Sequence, residues 1–305
     1  MSVERLAAVA VAGWLAAGPA GPVALLERPP QQPAFRSVVH TVPVYVTVQD
    51  GEGRLVPDLT QDDFEVLDDG EPVDVIFFSN DIVPLTVALL LDMSGSMAPD
   101  FQLVRRSTAQ FFLTLRPDDR VRLGTFGREV ALSPHLTGDF AALNRVLEQE
   151  VWPSQNAQTP LWTAIREAMR SLDAESGRRV VITLSDGVDS CDYEDGFCAK
   201  ADDVERQALD EGFLTYAVGM EGGGLDERLR ELAERTGGGF FVLQDNAQLA
   251  AVFARIADEL HRQYALAFTP RELDGETHML EVRLKGRGLR ARARESYLAA
   301  AGGRP

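Results

Sequence analysis

Leu85-Thr86-Val87-Ala88-Leu89-Leu90-Leu91 is an almost unbroken apolar run, the pattern of a strand buried on both faces and hence of a parallel sheet covered by helices. Phe101, Val104, Thr108, Phe111 and Leu115 follow at helical spacing and Pro117 closes the segment, since proline has no amide to continue a helix. The rhythm repeats. Residues 121–126 read as strand, 140–147 as helix, and Leu161, Ile165, Met169 and Leu172 as one helical face. Residues 180–184 and 213–218 are further buried strands, a helix is expected over 225–236, and 240–243 is strand-like. Leu249, Val252, Phe253, Ile256 and Leu260 then form a single apolar stripe, as on an amphipathic helix. Strand and helix in alternation predict an α/β class fold with an open, doubly wound, mostly parallel sheet.

The chain on either side follows a different period. Val42, Val44, Val46 and Val48 recur every second position, Asp50-Gly51 and Asp69-Gly70 supply turns, and residues 64–67 and 73–78 look like the next strands, as alternation bounded by Asp-Gly pairs predicts. Pro43 implies that its strand begins at, or runs along, a sheet edge. After His261 the strand pattern returns at 264–268, 278–284 and 288–297. Segments 35–82 and 263–305 are therefore expected to pair into a small β-sandwich with the α/β domain, 83–262, inserted in it.

Composition narrows the reading. The 305 residues carry 47 acidic and 30 basic side chains for a net charge of −17, with 45% apolar residues. This is a folded chain whose acidic surface suits cations or basic partners and excludes binding along a nucleic-acid backbone, which needs clustered Lys and Arg. Residues 6–26 are uncharged, with Gly18 and Ala20 two positions apart and Pro19 and Pro22 interrupting. That pattern predicts a signal peptide cleaved near Ala20, then a Pro-rich spacer to residue 34, and an extracytoplasmic, periplasmic or secreted, protein. An uncleaved N-terminal anchor is the competing reading and the only route to a membrane. Cys191 and Cys198 are the sole cysteines. In an oxidising compartment they would close a short disulfide ring, and in a reducing one they would remain thiols.

The residues with chemistry stand where buried strands end. Asp92-Met93-Ser94-Gly95-Ser96 places a carboxylate and two hydroxyls after the first buried strand, and Asp186-Gly187 follows the strand at 180–184. Thr159 opens the helix between them. Loops at the carboxyl ends of such strands are where open sheets bind ligands, and two carboxylates meeting at one edge call for a cation or a shared proton. Carboxylate and hydroxyl oxygens are hard donors that select Mg²⁺, with Mn²⁺ or Ca²⁺ as alternatives. The bland alternative is a helix cap, with Ser96 or Asp100 accepting backbone N–H bonds.

Asp92-x-Ser94-x-Ser96, Thr159 and Asp186-Gly187 resemble the metal-ion-dependent adhesion site of the von Willebrand factor type A domain, over about residues 83–262. The flanks, with Val44-Tyr45-Val46-Thr47-Val48 and Leu59-Thr60-x-x-Asp63-Phe64, resemble those of bacterial proteins related to that family. The resemblance implies that Ser94, Ser96 and Thr159 ligate the cation directly. Asp92 and Asp186 would act through waters or switch into direct ligation, and an Asp or Glu side chain of a protein partner would take the open position. Asn156-Ala157-Gln158 departs from the glycines the family often has there, so that loop's backbone is expected to differ.

Enzyme readings find less support. The position two before Ser94 is Asp92 rather than the glycine of a nucleophile elbow. No glycine pattern precedes Lys200 or Lys285 as a phosphate loop requires. His40, His135, His261 and His278 are scattered, and each reads as structural or exposed. The acidic stretch Asp189, Asp192, Glu194, Asp195 does not have EF-hand spacing and reads as a solvated rim. Arg290, Arg292 and Arg294 read as one exposed strand face. A non-enzymatic, metal-dependent protein-binding module is the expected function. A metal-assisted hydrolase using the same oxygens, and a scaffold with a non-functional site, are the alternatives.

Overall fold

The computed structural model describes residues 40–149, 151–153, 159–191, 198–220, 226–286 and 288–300. The expected signal peptide and spacer, the Asn156-Ala157-Gln158 departure and Asp192, Glu194 and Asp195 of the acidic stretch lie outside them.

The chain begins with β1 (Val42–Gln49), β2 (Phe64–Asp68), β3 (Glu71–Val73) and β4 (Val75–Ser79). The α/β layer follows as β5 (Thr86–Asp92), α1 (Phe101–Thr114), β6 (Arg120–Phe126), β7 (Ala131–Leu132), α2 (Phe140–Gln149) and α3 (Leu161–Arg170). It continues with β8 (Arg179–Ser185), α4 (Ala201–Asp210), β9 (Leu214–Gly219), α5 (Glu227–Arg235), β10 (Phe240–Val242) and α6 (Leu249–His261). The strands β11 (Tyr264–Phe268), β12 (Thr277–Leu284), β13 (Arg290–Arg292) and β14 (Ser296–Leu298) complete the molecule.

The central sheet has the order β10-β9-β8-β5-β6-β7, parallel except for the β6–β7 pair. All seven residues of β5 are buried, which explains its unbroken apolar sequence. Val87, Leu89 and Leu91 pack under α1, α2 and α6, and Ala88 and Leu90 pack under α3, α4 and α5. Each buried leucine contributes about 1.5–3 kcal/mol of transfer free energy. From β5 the chain crosses to β6 on one side and later returns to β8 on the other. The carboxyl ends of β5 and β8 therefore flank a topological switch point, the crevice where open α/β sheets bind ligands.

The flanking strands form a sandwich of two antiparallel sheets, β13-β1-β11-β4 and β14-β12-β2-β3, around a core that includes Val44, Val46, Phe64, Tyr264 and Phe268. Two runs that read as single strands each divide between its layers. Residues 73–78 break at Asp74, leaving β3 against β2 and β4 against β11. Residues 288–297 break after Arg292, so β13 joins β1 and β14 joins β12. Alternation is unchanged across such a corner, which is why periodicity does not reveal it. Pro43 is exposed in a stretch of β1 that β11 pairs from one side, while β13 reaches only Thr47–Gln49. The other side of Pro43 is thus left open where its missing amide costs no ladder bond.

The arginines of the last segment depart from the expected exposed face. Arg290 is exposed, whereas Arg292 and Arg294 are half-buried against the α/β layer. Arg292 pairs with Glu259 of α6, which is 1% exposed. Gln49 of β1 also donates to Glu259, at 3.2 Å, and buried Gln263 bridges Thr47 and Arg178 at 3.0 and 3.1 Å. The backbone of Ala293 and Arg294 passes so close to Gly237 that a Cβ there would stand 2.6 Å from it. The φ of +80° at Gly237 independently favours glycine. Among the described residues no helix is long and apolar enough to cross a membrane.

Candidate metal centre

Four of the five sequence-predicted site residues come together at the carboxyl edge of β5 and β8. Asp92 ends β5 with its side chain fully buried. One carboxylate oxygen accepts the Ser94 N–H at 2.8 Å and the other accepts the Ser185 hydroxyl. Burial pushes the Asp92 pKa up, the Asp186 charge adds to the rise, and the Ser185 and Ser94 hydrogen bonds oppose it. A carboxylate so placed gains from a nearby positive charge.

Ser94 is extended (φ −62°, ψ 163°) and leads into a 3₁₀ turn, Gly95–Asp100, that continues as α1. Its hydroxyl lies 3.0 Å from that of Ser96, and Ser96 donates to Asp186 at 2.9 Å. A chain of oxygens thus runs from the β5 loop to the β8 loop. Neither capping candidate behaves as a cap: Ser96 gives its hydroxyl to Asp186, and Asp100 makes no side-chain cap bond, its carboxylate accepting instead from Asn246 at 2.9 Å. The hydroxyls bond one another and Asp186 rather than the helix backbone.

Thr159 is placed by its backbone. Its N–H donates to the Ser190 hydroxyl at 2.7 Å and its carbonyl accepts the Ser190 N–H at 3.0 Å. This two-bond clasp fastens the start of α3 to the loop that carries Asp186, with Thr159 itself 8% exposed. The Cys191–Cys198 disulfide is formed, with Cα atoms 6.0 Å apart. It lies between two ties to α3, since Ala199 N–H also donates to the Thr163 hydroxyl at 2.9 Å. Asp189 accepts the Trp162 N–H at 3.4 Å, so this member of the acidic stretch faces the same helix start.

Ser185, Ser190 and Gly127 support the site without having stood out in the sequence. A serine ending a strand is unremarked until the partner strand places Asp92 beside it. A Cβ on Gly127 would meet the Met93 carbonyl at 3.2 Å, so this glycine lets the β6 loop press on the Asp92–Ser94 turn.

The donor set fits a hard divalent cation. All its atoms are carboxylate and hydroxyl oxygens, the donors that hard divalent cations prefer. The Ser94–Ser96 and Ser96–Asp186 hydrogen bonds of 3.0 and 2.9 Å already gather these oxygens at one point.

The family model of the von Willebrand factor type A domain matches residues 86–255. Among solved structures, a von Willebrand factor type A protein from Catenulispora acidiphila is similar at 14% identity and TM-score 0.52, covering 88% of this chain and 74% of its own. Proximal thread matrix protein 1 from the mussel byssus, in a structure described as having a zinc-occupied MIDAS motif, is similar at 19% identity and TM-score 0.52. That match covers 63% of this chain and 50% of the byssus protein. BatB from Bacteroides thetaiotaomicron matches at 20% identity and TM-score 0.46, over 57% of this chain and 98% of its own. Among curated proteins, none matches the chain.

Proposed function

The chain belongs to the von Willebrand factor type A domain family, and from that premise we propose that it is an exported, non-enzymatic interaction protein that binds a partner through a divalent cation, Mg²⁺ first. The observation that carries the reading is the oxygen chain from Ser94 through Ser96 to Asp186, beside the buried Asp92.

Ser94, Ser96 and Thr159 would supply neutral oxygens, and Asp92 and Asp186 the charge that draws the cation in. A bound Mg²⁺ supplies a Lewis-acidic position for an Asp or Glu carboxylate of a partner protein. Ser185 and the Ser94 N–H hold Asp92 in one orientation, and the Thr159–Ser190 clasp sets the two loops against each other before any ligand arrives. The non-enzymatic reading draws support from the histidines. His261 pairs with Asp119, which binds the Leu85 amide ahead of β5, and His278 lies in the sandwich. The disulfide supports an oxidising compartment, and the zinc-occupied MIDAS motif named for the byssus protein is consistent with a cation at the corresponding place here.

Calorimetric titration of the chain with Mg²⁺ and Mn²⁺ tests the reading, with Ser96→Ala and Asp186→Ala alongside. Saturable binding in the wild type, lost in both variants, is expected, together with no turnover on phosphate and carboxylate esters. Identical isotherms for all three proteins would refute the site.

A further inference from the structure

A second group of ligand atoms lies in the β-sandwich. The Asp69-Gly70 turn between β2 and β3 puts both residues at positive φ, +51° and +83°, the geometry of a tight hairpin. Asp68, ending β2, and Asp69 are thereby presented side by side, and β12, paired with β2, brings His278 to them. His278 Nδ1 stands 2.9 Å from an Asp69 oxygen and 3.3 Å from Asp68 Oδ1. Its Nε2 stands 3.2 Å from Asp274. One ligand atom from each of Asp68, Asp69 and His278 lies within 4.8 Å of the other two.

The surroundings separate this group from an ordinary charged rim. Asp68 is 1% exposed, and its Oδ1 has no hydrogen-bond partner among the described residues. The other Asp68 oxygen accepts a 3.3 Å bond from the Arg271 N–H, and the Tyr297 hydroxyl is a further donor facing the Asp68 carboxylate. The second Asp69 oxygen is held by the Met279 N–H at 2.9 Å, which aims the first at the imidazole. The Tyr297 ring packs on His278 at 5.5 Å between centroids. These groups open onto a cleft of about 310 Å³ that adds Glu71, Glu272 and Glu276 to the three aspartates, with Arg271 as the opposing charge.

A proton on Nδ1 would bond Asp69 and leave the buried Asp68 Oδ1 unsatisfied, which costs about 1–3 kcal/mol or more for a charged group. An ion among the three atoms satisfies all of them. Ligand atoms about 2.0–2.1 Å from a tetrahedral zinc ion stand about 3.3 Å apart, close to the two separations from Nδ1. Asp274 completes the arrangement, because a metal-bound histidine usually donates its other ring N–H to a carboxylate.

We propose that Asp68, Asp69 and His278 form a second metal site, of the zinc class, in the β-sandwich, with Asp274 orienting the imidazole. One imidazole nitrogen with two carboxylates favours a borderline ion such as Zn²⁺ over Mg²⁺ or Ca²⁺. The site shares no residue with the type A loops and does not rest on their reading.

The test is equilibrium dialysis of the full chain, disulfide intact, against low-micromolar Zn²⁺ at neutral pH. Asp69→Asn keeps the turn, since asparagine tolerates positive φ, and should bind one zinc fewer than the wild type, as should His278→Gln. Asp274→Asn should keep the stoichiometry with about 10–100-fold weaker affinity. Ser96→Ala should retain the zinc that Asp69→Asn loses, which separates this site from the type A loops. Metal-free thermal unfolding of Asp69→Asn at the wild-type temperature shows that the fold survives. Zinc binding unchanged by both Asp69→Asn and His278→Gln, or no zinc bound by the wild type, overturns the proposal.

Discussion

Two buried acids at opposite places in the molecule have opposite surroundings. Glu259, 1% exposed on α6, already has its partners: the cations of Arg292 from β13 and of Arg255 one turn earlier at 3.2 Å, and the neutral Gln49 amide from β1. Asp92, fully buried at the end of β5, has a serine hydroxyl, a backbone N–H and a second carboxylate nearby. The first is a finished joint between the α/β layer and the sandwich. The second is a negative site whose charge is not balanced by a side chain bonded to it, and that is the electrostatic difference between an acid that holds a fold and one suited to a cation.

Removing Glu259 should have the largest effect. Glu259→Ala leaves Arg292 without its carboxylate, and stability by urea unfolding should fall by about 3–5 kcal/mol. The double variant Glu259→Met, Arg292→Met should lose much less, because it leaves no orphaned charge. A double variant as unstable as the single would break the distinction between joint and binding site.

Reducing the Cys191–Cys198 bridge should lower the urea midpoint by the equivalent of at most about 2.5 kcal/mol, from the loop-closure entropy of an eight-residue ring. The same treatment should weaken Mg²⁺ binding, since the bridge lies between the Ser190 and Ala199 ties to α3. An unchanged isotherm would mean that the bridge serves stability alone.

Asp119 is a third buried acid and belongs with Glu259. Burial raises its pKa, but the His261 hydrogen bond and the Arg116 and Leu85 amides outweigh that and leave it below the usual carboxylate value. A lowered folded pKa contributes stability that is fully present above the unfolded carboxylate value of about 3.9 and is lost as pH falls through the folded one. Asp119→Asn should cost about 2 kcal/mol near neutral pH, and the gap to the wild type should shrink in acid. A pH-independent gap would assign the loss to packing.

Asp186→Ala should change metal-free stability least, by under about 1 kcal/mol, as a half-exposed carboxylate at a loop. It should nevertheless abolish the stabilisation that Mg²⁺ gives the wild type, about 2.7 kcal/mol at 100 times Kd, seen as a shift in melting temperature. A large metal-free loss would place Asp186 with Glu259 instead.

The α/β layer was legible in the sequence because strands covered on both faces, such as β5 and β8, are almost wholly apolar, and helices such as α6 carry a single stripe. The Asp92-x-Ser94-x-Ser96 pattern was legible for a related reason: its members share one turn, so local spacing suffices to group them. Helix α4 was not foreseen, because its buried face rests largely on small alanines, Ala201 and Ala208, beside Val204 and Leu209 amid charged residues. The exposed face expected for Arg292 and Arg294 was incorrect, because alternation says that one side of a strand is polar without saying what lies opposite.

By itself the chain determined its strand and helix periods, the hydroxyls and carboxylates at the strand ends, and the separation of β flanks from an α/β middle. These follow from local chemistry, where burial and turn geometry act on neighbours. Only the tertiary structure decided which buried charges found partners. It placed Glu259 against Arg292 and Asp119 against His261, closed Cys191 onto Cys198, and set Asp68 and Asp69 before His278. Partnering depends on strand order and register, and these are fixed by packing the whole core rather than by any one segment.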